Sequence, residues 1–564
     1  MCFTYKQCSA CGDAFYCDQN CQKANWKIRH KSDCADFAAT ALDHRGFVTS
    51  LLDDHINPKR LVDPPYYFGN TLAADFLNLG QNEWEKFNGG HINDADSAEL
   101  DRMYRILLAG CGDIRSLLCT ISSLPGDFRG KLDITLCDFD PFVMARNTLF
   151  LYMMVAMSDD TPEFEKSLAS IWYSASLSSK DHTLVKKALD VLNQCQDAAS
   201  LEQVTRGLII ITDQDTKLLQ QVWNGWYELE CEVGKLGALN LRSQHRTASK
   251  KYQKRTLPSR QQASWKKWVQ NCDFYPEGVR SSHLLYDNPT LTGRSGVNAF
   301  DEMSEELCAL TRDDRQPKDY LPFVYCLQAN MHPMIVWDYR KVIKSGCYDD
   351  NIVTMYHTYV SRVIDTAVRF IQDTRLSVKM SLAECFDFKL TGDGDAARFD
   401  RIFNSNLMDY VGCFPLVRKF GPMLSKSNPH ATLVMELLAW RQVESAWNRG
   451  GEGLMMRDMG TRQMMVQDRE EFRDRYFVPY ESADYDYDPD TVHRFLKTMY
   501  LATEKREETK PKPPSSKMMM SCQGLVMRDF RVGLNKIVPF IYRVSGRDGG
   551  VPNYSCRTIE WHYK

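Results

Sequence analysis

Between residues 105 and 157 the spacing of apolar positions switches twice from that of a strand to that of a helix. An apolar run at 105–109 predicts a β-strand, and apolar residues then recur at helical spacing from 114 to 124. A second strand is predicted at 132–138. The helix after it begins with Asp140 as its cap and Pro141 in its first turn. This alternation predicts a βαβα unit and a parallel sheet.

The pattern beyond residue 157 predicts that this sheet is interrupted and then continued. From about 160 to 370 it is mainly helical, with no clear run of alternating strands, which predicts a large helical insertion. Strand signals return at 398–403, 416–424 and 432–438, which we expect to belong to the same sheet. Strand-like alternation and turn glycines at 524–563 predict a small C-terminal β element. The predicted fold class is α/β.

Turn and linker residues predict the domain boundaries. A Pro pair and a Gly within 63–70 mark a boundary near residue 60. The stretch 504–517 is rich in Lys, Glu and Pro, which predicts an exposed linker. We therefore expect a small unit over 1–36, a large domain over 60–440 and a C-terminal extension over 441–564.

Composition and charge exclude several classes of protein. The 564 residues carry 70 Lys plus Arg against 73 Asp plus Glu, a formal net charge of −3, and their hydrophobic and charged fractions of 43% and 25% are ordinary for a globular protein. The longest apolar run, 149–157, is about half of the ~20 residues that cross a bilayer as a helix. We expect a soluble protein without a membrane partner. The 19 cysteines without a signal-peptide pattern predict the cytoplasm or the nucleus.

A basic segment gives one competing interpretation. Nine Lys or Arg and no Asp or Glu lie between residues 242 and 267. Such a patch could bind nucleic-acid phosphates through counterion release, as in a transcriptional regulator. A solvated basic face is the favoured interpretation because the whole chain is nearly neutral. We therefore do not expect a nucleic-acid partner.

Potential metal ligands cluster near the N-terminus. Six of them fall within 27 residues, with the spacing Cys8-x2-Cys11-x5-Cys17-x3-Cys21-x8-His30-x3-Cys34. Thiolate and imidazole ligands at these spacings suit tetrahedral zinc. A segment this short buries too little apolar surface to fold alone, so metal ligation must supply the missing free energy. The sequence therefore predicts structural zinc.

The second half of this segment resembles the MYND zinc finger. The resemblance rests on Tyr16-Cys17, Cys21-Gln22, Trp26, His30-Lys31 and Cys34. It implies two zinc sites, of which the first takes Cys8, Cys11, His30 and Cys34. It also implies a protein partner, often a short proline-containing peptide.

The second zinc site departs from the MYND pattern. The resemblance implies that Cys17 and Cys21 share this ion with an upstream CxxC pair, whereas only Cys2 stands upstream here. Two explanations stay open. Either the chain is truncated before Cys2, or the second zinc is weakly bound or ligated by water.

A two-glycine loop follows the first predicted strand. Gly110 and Gly112 lie where the strand becomes a helix, the position at which open α/β sheets bind ligands. Asp138 ends the next strand, where a carboxylate can accept hydrogen bonds from ribose hydroxyls. Arg115 stands where an NAD-type GxGxxG motif has its third glycine, so a dinucleotide is not expected.

Residues 107–113, 137–141 and 145–147 together resemble the first two motifs of class I S-adenosylmethionine-dependent methyltransferases. The resemblance implies a Rossmann sheet and S-adenosylmethionine as a candidate cofactor, held by Gly110, Gly112, Asp113 and Asp138. Leu108 and Ile114 replace an acid and a glycine that are usual in that family. Residues 67–73, 107–115 and 399–412 are more similar to an uncharacterised domain that follows MYND fingers and is related to the N-terminal region of dynein axonemal assembly factor 3.

These features support two hypotheses from different classes. The leading one is a zinc-binding protein-interaction or assembly protein in which the finger recruits partners and the methyltransferase-like domain is a scaffold. This hypothesis is favoured because the motif for the first zinc site is complete, whereas the motif for the cofactor is altered. The alternative is an active methyltransferase that the finger targets to its substrate. No catalytic residue is assigned by the sequence.

Overall fold

A computed structural model gives the architecture of the chain. It describes residues 6–8, 10, 15–16, 18–32, 34–35, 41–42, 45–56, 67–69, 71–85, 100–233, 236, 259–293, 324–325, 333–392, 394–438, 488–530, 533–540 and 556–564. Contacts divide the chain into two compact units. Unit 1 comprises Met1–Pro58, Gly392–Arg543 and Tyr554–Lys564, and unit 2 comprises Lys59–Thr391 and Val544–Asn553.

The described residues form a mixed α/β protein with many helices. Its strands are β1 Lys6–Gln7, β2 Phe15–Tyr16, β3 Met103–Ala109, β4 Lys131–Asp138, β5 Ser176–Ser178, β6 Ile209–Ile210, β7 Leu284–Asp287, β8 Thr292–Gly293, β9 Val324–Tyr325, β10 Leu376–Leu382, β11 Arg401–Phe403, β12 Thr432–Leu437, β13 Ser521–Cys522, β14 Leu525–Met527 and β15 Arg557–Tyr563. Its helices are α1 Gln19–Asn25, α2 Arg45–Ile56, α3 Arg115–Ser122, α4 Pro141–Ala156, α5 Phe164–Tyr173, α6 Ser179–Gln194, α7 Ala198–Val204, α8 Asp213–Glu228, α9 Ser259–Asn271, α10 Pro333–Val336, α11 Tyr339–Lys344, α12 Ile352–Gln372, α13 Met408–Val411, α14 Cys413–Phe420, α15 Asp488–Glu504 and α16 Ser516–Met519. None of these helices is long and apolar enough to span a bilayer.

Unit 2 is built on four parallel strands in the order β3-β4-β10-β6. The register of β3 and β4 runs from Met103 opposite Lys131 to Ala109 opposite Cys137. Both strands are almost wholly buried, as parallel strands covered on both faces are. Helix α12 packs on α3 and α5, while α8 packs on α4 and α6. The predicted βαβα unit is therefore confirmed.

The predicted start of α4 is also confirmed. The Asp140 side chain caps the helix by accepting hydrogen bonds from the backbone N–H groups of Phe142 and Val143, at 2.8 and 3.4 Å. Pro141 occupies the first turn, where its missing N–H costs nothing. Between β4 and β10 the described residues carry helices α5 to α12 and short strands of two to four residues. This agrees with the mainly helical pattern.

Among its described residues, unit 1 contains a row of five paired strands in the order β13-β14-β15-β12-β11. The pair β11–β12 is parallel and the other pairs are antiparallel. The strand expected at 416–424 is wrong, because this segment is helix α14 followed by a 3-10 turn. Leu416, Val417 and Phe420 are fully buried at helical spacing, and a short apolar run does not distinguish a helix from a strand.

The N-terminal segment forms part of unit 1. Strands β1 and β2 pair as an antiparallel hairpin, and α2 packs on α13 and α15. Most of the boundary predicted at 63–70 and of the basic segment at 242–267 lies outside the described residues. The predicted domains 1–36, 60–440 and 441–564 and the linker at 504–517 stay predictions.

Candidate metal centre and glycine loop

Three predicted zinc ligands meet in unit 1. The Sγ atoms of Cys8 and Cys34 and a ring nitrogen of His30 all lie within 4.8 Å of one another. The three residues are buried, with exposures of 3%, 8% and 5%. Two thiols and an imidazole at this separation supply three of the four donors of a tetrahedral zinc site. The residues present therefore fit zinc.

Local structure explains how these ligands converge. Cys8 directly follows β1, and helix α1 is capped by Asp18, which accepts a 2.8 Å hydrogen bond from the backbone N–H of Cys21. A π-helical turn, Trp26–His30, follows α1 and ends at the ligand His30. Cys34 lies four residues later along the chain.

The remaining predicted ligands are not placed in this cluster. Cys2, Cys11 and Cys17 lie outside the described residues. Cys21 is exposed on α1 and does not belong to the group formed by Cys8, His30 and Cys34. The fourth ligand of the first site and the whole second site thus stay predictions.

Aromatic rings flank the histidine ligand. The rings of Tyr16 and Trp26 contact the His30 ring edge-on, with centroids 5.8 and 5.6 Å away. These contacts restrict the orientation of the imidazole. Trp26 remains 39% exposed and Ile28 84% exposed, so the turn carries apolar side chains on its outer side.

The glycine loop of unit 2 lies between β3 and α3. Gly110 and Gly112 have φ values of +68° and +55°, which residues with side chains seldom adopt. The backbone N–H groups of Gly110 and Cys111 donate to the carbonyl of Cys137, at 2.8 and 3.2 Å. The Asn147 side chain donates to the carbonyl of Gly112 at 2.7 Å. The loop is therefore tied to the end of β4 and to α4.

Asp138 lies beside this loop, as predicted. Its Oδ2 accepts a 3.0 Å hydrogen bond from the backbone N–H of Gly112, and its Oδ1 accepts one of 3.1 Å from that of Asp140. Burial raises the pKa of Asp138 to about 7, while these two hydrogen bonds oppose the shift. The carboxylate therefore holds the loop together and titrates near neutral pH.

Asp113 faces another protein group. Its Oδ1 accepts from the guanidinium of Arg115 in a buried ion pair. Burial raises the pKa of Asp113, against the lowering effect of Arg115. The Oδ2 atom of Asp113 is buried and has no hydrogen-bond partner among the described residues. The predicted cofactor residue is thus largely engaged within the protein.

Two buried arginines connect the segment before β3 to the helices. Arg115 donates to the carbonyl of Phe68 at 3.3 Å and to that of Thr71 at 2.8 Å. Arg146 donates to the carbonyl of Tyr67 at 3.0 Å and packs against the rings of Tyr67 and Phe150. We call residues 67–69 and 71 with these two arginines the arginine latch. Sequence reasoning missed it because the contacts span 44 to 79 positions along the chain.

A separate cavity lies at the other end of the strands. It has a volume of about 290 Å³ and is lined by the first residues of β3, β4 and β10, with Arg206 and Arg375 at its wall. Arg375 donates to the carbonyls of Phe128 and Gly130, at 2.5 and 3.0 Å. This cavity is at the amino ends of the strands, whereas the glycine loop is at their carboxyl ends.

Comparison with known proteins identifies two modules. A family model of the MYND finger matches residues 1–34, and a model described as a domain of unknown function, DUF4470, matches residues 67–177. The chain therefore carries an N-terminal MYND zinc finger and a DUF4470 domain. Together with the cluster of Cys8, His30 and Cys34, the first match supports zinc binding.

Comparison with one curated protein and with the solved structures adds little information about function. The chain is 52% identical over 31 residues to "F-box protein At1g67340" of Arabidopsis thaliana, which is 6% of this chain and 8% of that protein. The chain thus spans less than a tenth of that relative. No solved structure gives a significant match. The resemblances to class I methyltransferases and to dynein axonemal assembly factor 3 stay predictions.

Proposed function

We propose that this chain is a zinc-dependent protein-interaction or assembly protein. The observation that carries the proposal is the buried cluster of Cys8, His30 and Cys34 within a segment that matches the MYND finger. MYND fingers mediate protein–protein contacts. The exposed side chains of Trp26 and Ile28 beside the cluster supply apolar surface for a partner. The proposed ligand is a short proline-containing peptide, and the proposed location is the cytoplasm or the nucleus.

Peptide binding by the purified full-length protein tests this function. An array of proline-containing peptides should yield ligands whose binding is lost in Cys34→Ser, which removes a metal ligand. Binding should also be lost in Ile28→Ser, which removes exposed apolar surface. Lys23→Ala is the matched control, because this exposed residue lies on α1 of the same finger. Peptides that bind all four proteins equally would argue against the finger as the binding site.

We further propose that the domain at 60–440 has a methyltransferase-like Rossmann fold that serves as a scaffold. The parallel βαβα unit and its glycine turn support this proposal. In addition, strands β10, β4 and β3 are neighbours in the order found in one half of a doubly wound sheet. Leu108 and Ile114 are buried at 2% and 0% exposure, where methyltransferases usually have an acid and a glycine. The loop therefore offers no acid at position 108 to the ammonium group of S-adenosylmethionine.

Active methylation is the second candidate function, and one observation favours it. The Asp138 carboxylate adjoins Gly112 at the carboxyl end of β4, the position from which a ribose would be held. Calorimetric titration with S-adenosylmethionine separates the two candidates. Micromolar binding that is abolished in Asp138→Ala would overturn the scaffold proposal. Heat changes equal to buffer dilution would support it.

A further inference from the structure

The helical part of the finger carries basic side chains on its surface. Residues 19–32 include four Lys or Arg and no Asp or Glu, whereas the whole chain has a formal net charge of −3. This stretch runs through α1 and the π-helical turn Trp26–His30. The side chains of Lys23, Lys27 and Lys31 are all exposed. The finger therefore presents positive charge on a chain that is otherwise nearly neutral.

Two of these lysines accompany the exposed apolar residues. Lys27 stands between Trp26 and Ile28, and Lys31 follows it by four positions. A π-helical turn joins residues five apart by hydrogen bonds, so side chains four or five apart lie on the same side of it. Lys27 and Lys31 therefore share one side of the turn, with the 84% exposed Ile28 between them in the chain. We call Trp26, Lys27, Ile28 and Lys31 the basic turn.

The two lysines are available to a partner. Neither ammonium group has a carboxylate partner in the part of the chain that the structure describes. An apolar centre bordered by charged groups is the usual arrangement of a protein-binding surface, and the charges select a partner of opposite sign. The charge of the basic turn therefore specifies carboxylates on the partner.

Nucleic acid fits this surface less well than a peptide does. Two lysines neutralise only two phosphates, and affinity for nucleic acid grows with the number of phosphates that are neutralised. A phosphate backbone would also leave the exposed side chain of Ile28 without an apolar partner. A peptide supplies both carboxylates and apolar side chains.

We propose that the basic turn binds an acidic peptide segment of a partner protein, in which carboxylates flank an apolar, proline-containing core. The proposal rests on the proposed peptide-binding function and adds the charge of the partner to it. Lys27 and Lys31 form ion pairs with the carboxylates, while Ile28 and the exposed part of Trp26 contact the core of the peptide. The ion pairs set the register of the peptide along the turn.

Matched peptides test the proposal on the wild-type full-length protein. Each proline-containing peptide of the array is made twice, once with Asp flanking its apolar core and once with Asn in the same positions. The Asp version should bind at least about fivefold more tightly at low salt, as two exposed ion pairs allow. Most of this preference should disappear in about 1 M NaCl, where the Debye length is about 3 Å. Equal affinity for both versions would overturn the proposal and leave the proposed function intact, whereas no binding of either version would contradict the proposed function itself.

Variants locate the charges that produce the preference. Lys27→Gln combined with Lys31→Gln should bind the two versions equally, whereas Lys27→Arg combined with Lys31→Arg keeps the charge and should keep the preference. Lys23→Gln is the matched control, because this exposed lysine lies on the same helix but five residues before Ile28, more than one helical turn away. An equal loss of preference in Lys23→Gln would indicate non-specific attraction and overturn the proposal. A DNA duplex that binds wild type more tightly than the Asp peptides do would overturn it as well.

Discussion

Replacing Gly69 with alanine should break the arginine latch. Gly69 has a φ of +68°, and an ideal Cβ there would clash with Nη1 of Arg115. The guanidinium is the end of a flexible side chain, so we expect it to move while the backbone stays in place. Moving it separates Arg115 from Asp113 and from the carbonyls of Phe68 and Thr71.

The expected loss in the free energy of unfolding is the sum of two contributions. A left-handed backbone costs an alanine about 1–2 kcal/mol relative to glycine. Breaking a buried ion pair costs about 3–5 kcal/mol, and the side chains of Arg115 and Asp113 are only 6% and 3% exposed. Gly69→Ala should therefore lower the free energy of unfolding by about 4–7 kcal/mol. Gly207→Ala is the control, because its φ is +78° and a Cβ would meet nothing within 4 Å. Gly207→Ala should lower the free energy of unfolding only by the backbone contribution of about 1–2 kcal/mol.

The assay must report on unit 2, because a chain of two units need not unfold in one step. Amide exchange of 115–122 in α3, measured on the full-length protein, gives the local free energy of opening. Gly69→Ala should reduce it by about 3–5 kcal/mol more than Gly207→Ala does. If the two variants agree within about 0.5 kcal/mol, the contact between residue 69 and Arg115 does not exist as described.

Three further predictions concern the loop, the cap and the metal. Burial raises the pKa of Asp138 to about 7, so the folded state holds its proton more tightly than the unfolded chain does. The resulting stability is complete below about pH 4 and is lost as the pH rises through 7. Asp138→Asn should therefore stabilise the protein at pH 8 but not at pH 4, and equal urea midpoints at pH 8 would contradict this. Asp140→Ala removes the cap of α4 and should cost about 1 kcal/mol in the same urea experiment, whereas no loss would mean that the cap is unimportant. Elemental analysis should find at least one zinc per wild-type chain and less in Cys34→Ser, and a wild-type value well below one would refute the metal site.

Features that depend on neighbouring residues were predictable from the sequence. The Asp140 cap and Pro141 lie within one turn of each other, and the strand β3 ends in the apolar run 106–109. Helix α14 was not predictable, because an apolar run as short as 413–417 is compatible with either period. Its assignment depends on packing, which a local pattern does not contain.

The contacts of the candidate sites were likewise predictable only where the residues are close in sequence. Spacing predicted a zinc-binding segment, and the resemblance to the MYND finger implied that Cys8, His30 and Cys34 share one ion. Spacing could not reveal the contact of Lys497 with Ala10, which joins residues 487 positions apart. It also could not show that Asp113 would be engaged by Arg115, since the same guanidinium is held by the carbonyls of Phe68 and Thr71.

The arginine latch bears directly on the choice between scaffold and enzyme. Arg115 and Arg146 hold the backbone carbonyls of Tyr67, Phe68 and Thr71, and Asp113 balances one of the two charges. A ligand that displaced Asp113 from Arg115 would leave this arginine buried without its carboxylate, at a cost of about 3–5 kcal/mol. Binding at the glycine loop must therefore either leave this pair intact or offset that cost. The hydrogen bonds of Asp138 impose no comparable cost, because its oxygens retain lone pairs for a further donor. A nucleoside held by Asp138 would leave the pair of Arg115 and Asp113 intact, so titrations of Asp138 and Asp113 variants report on different ends of the loop.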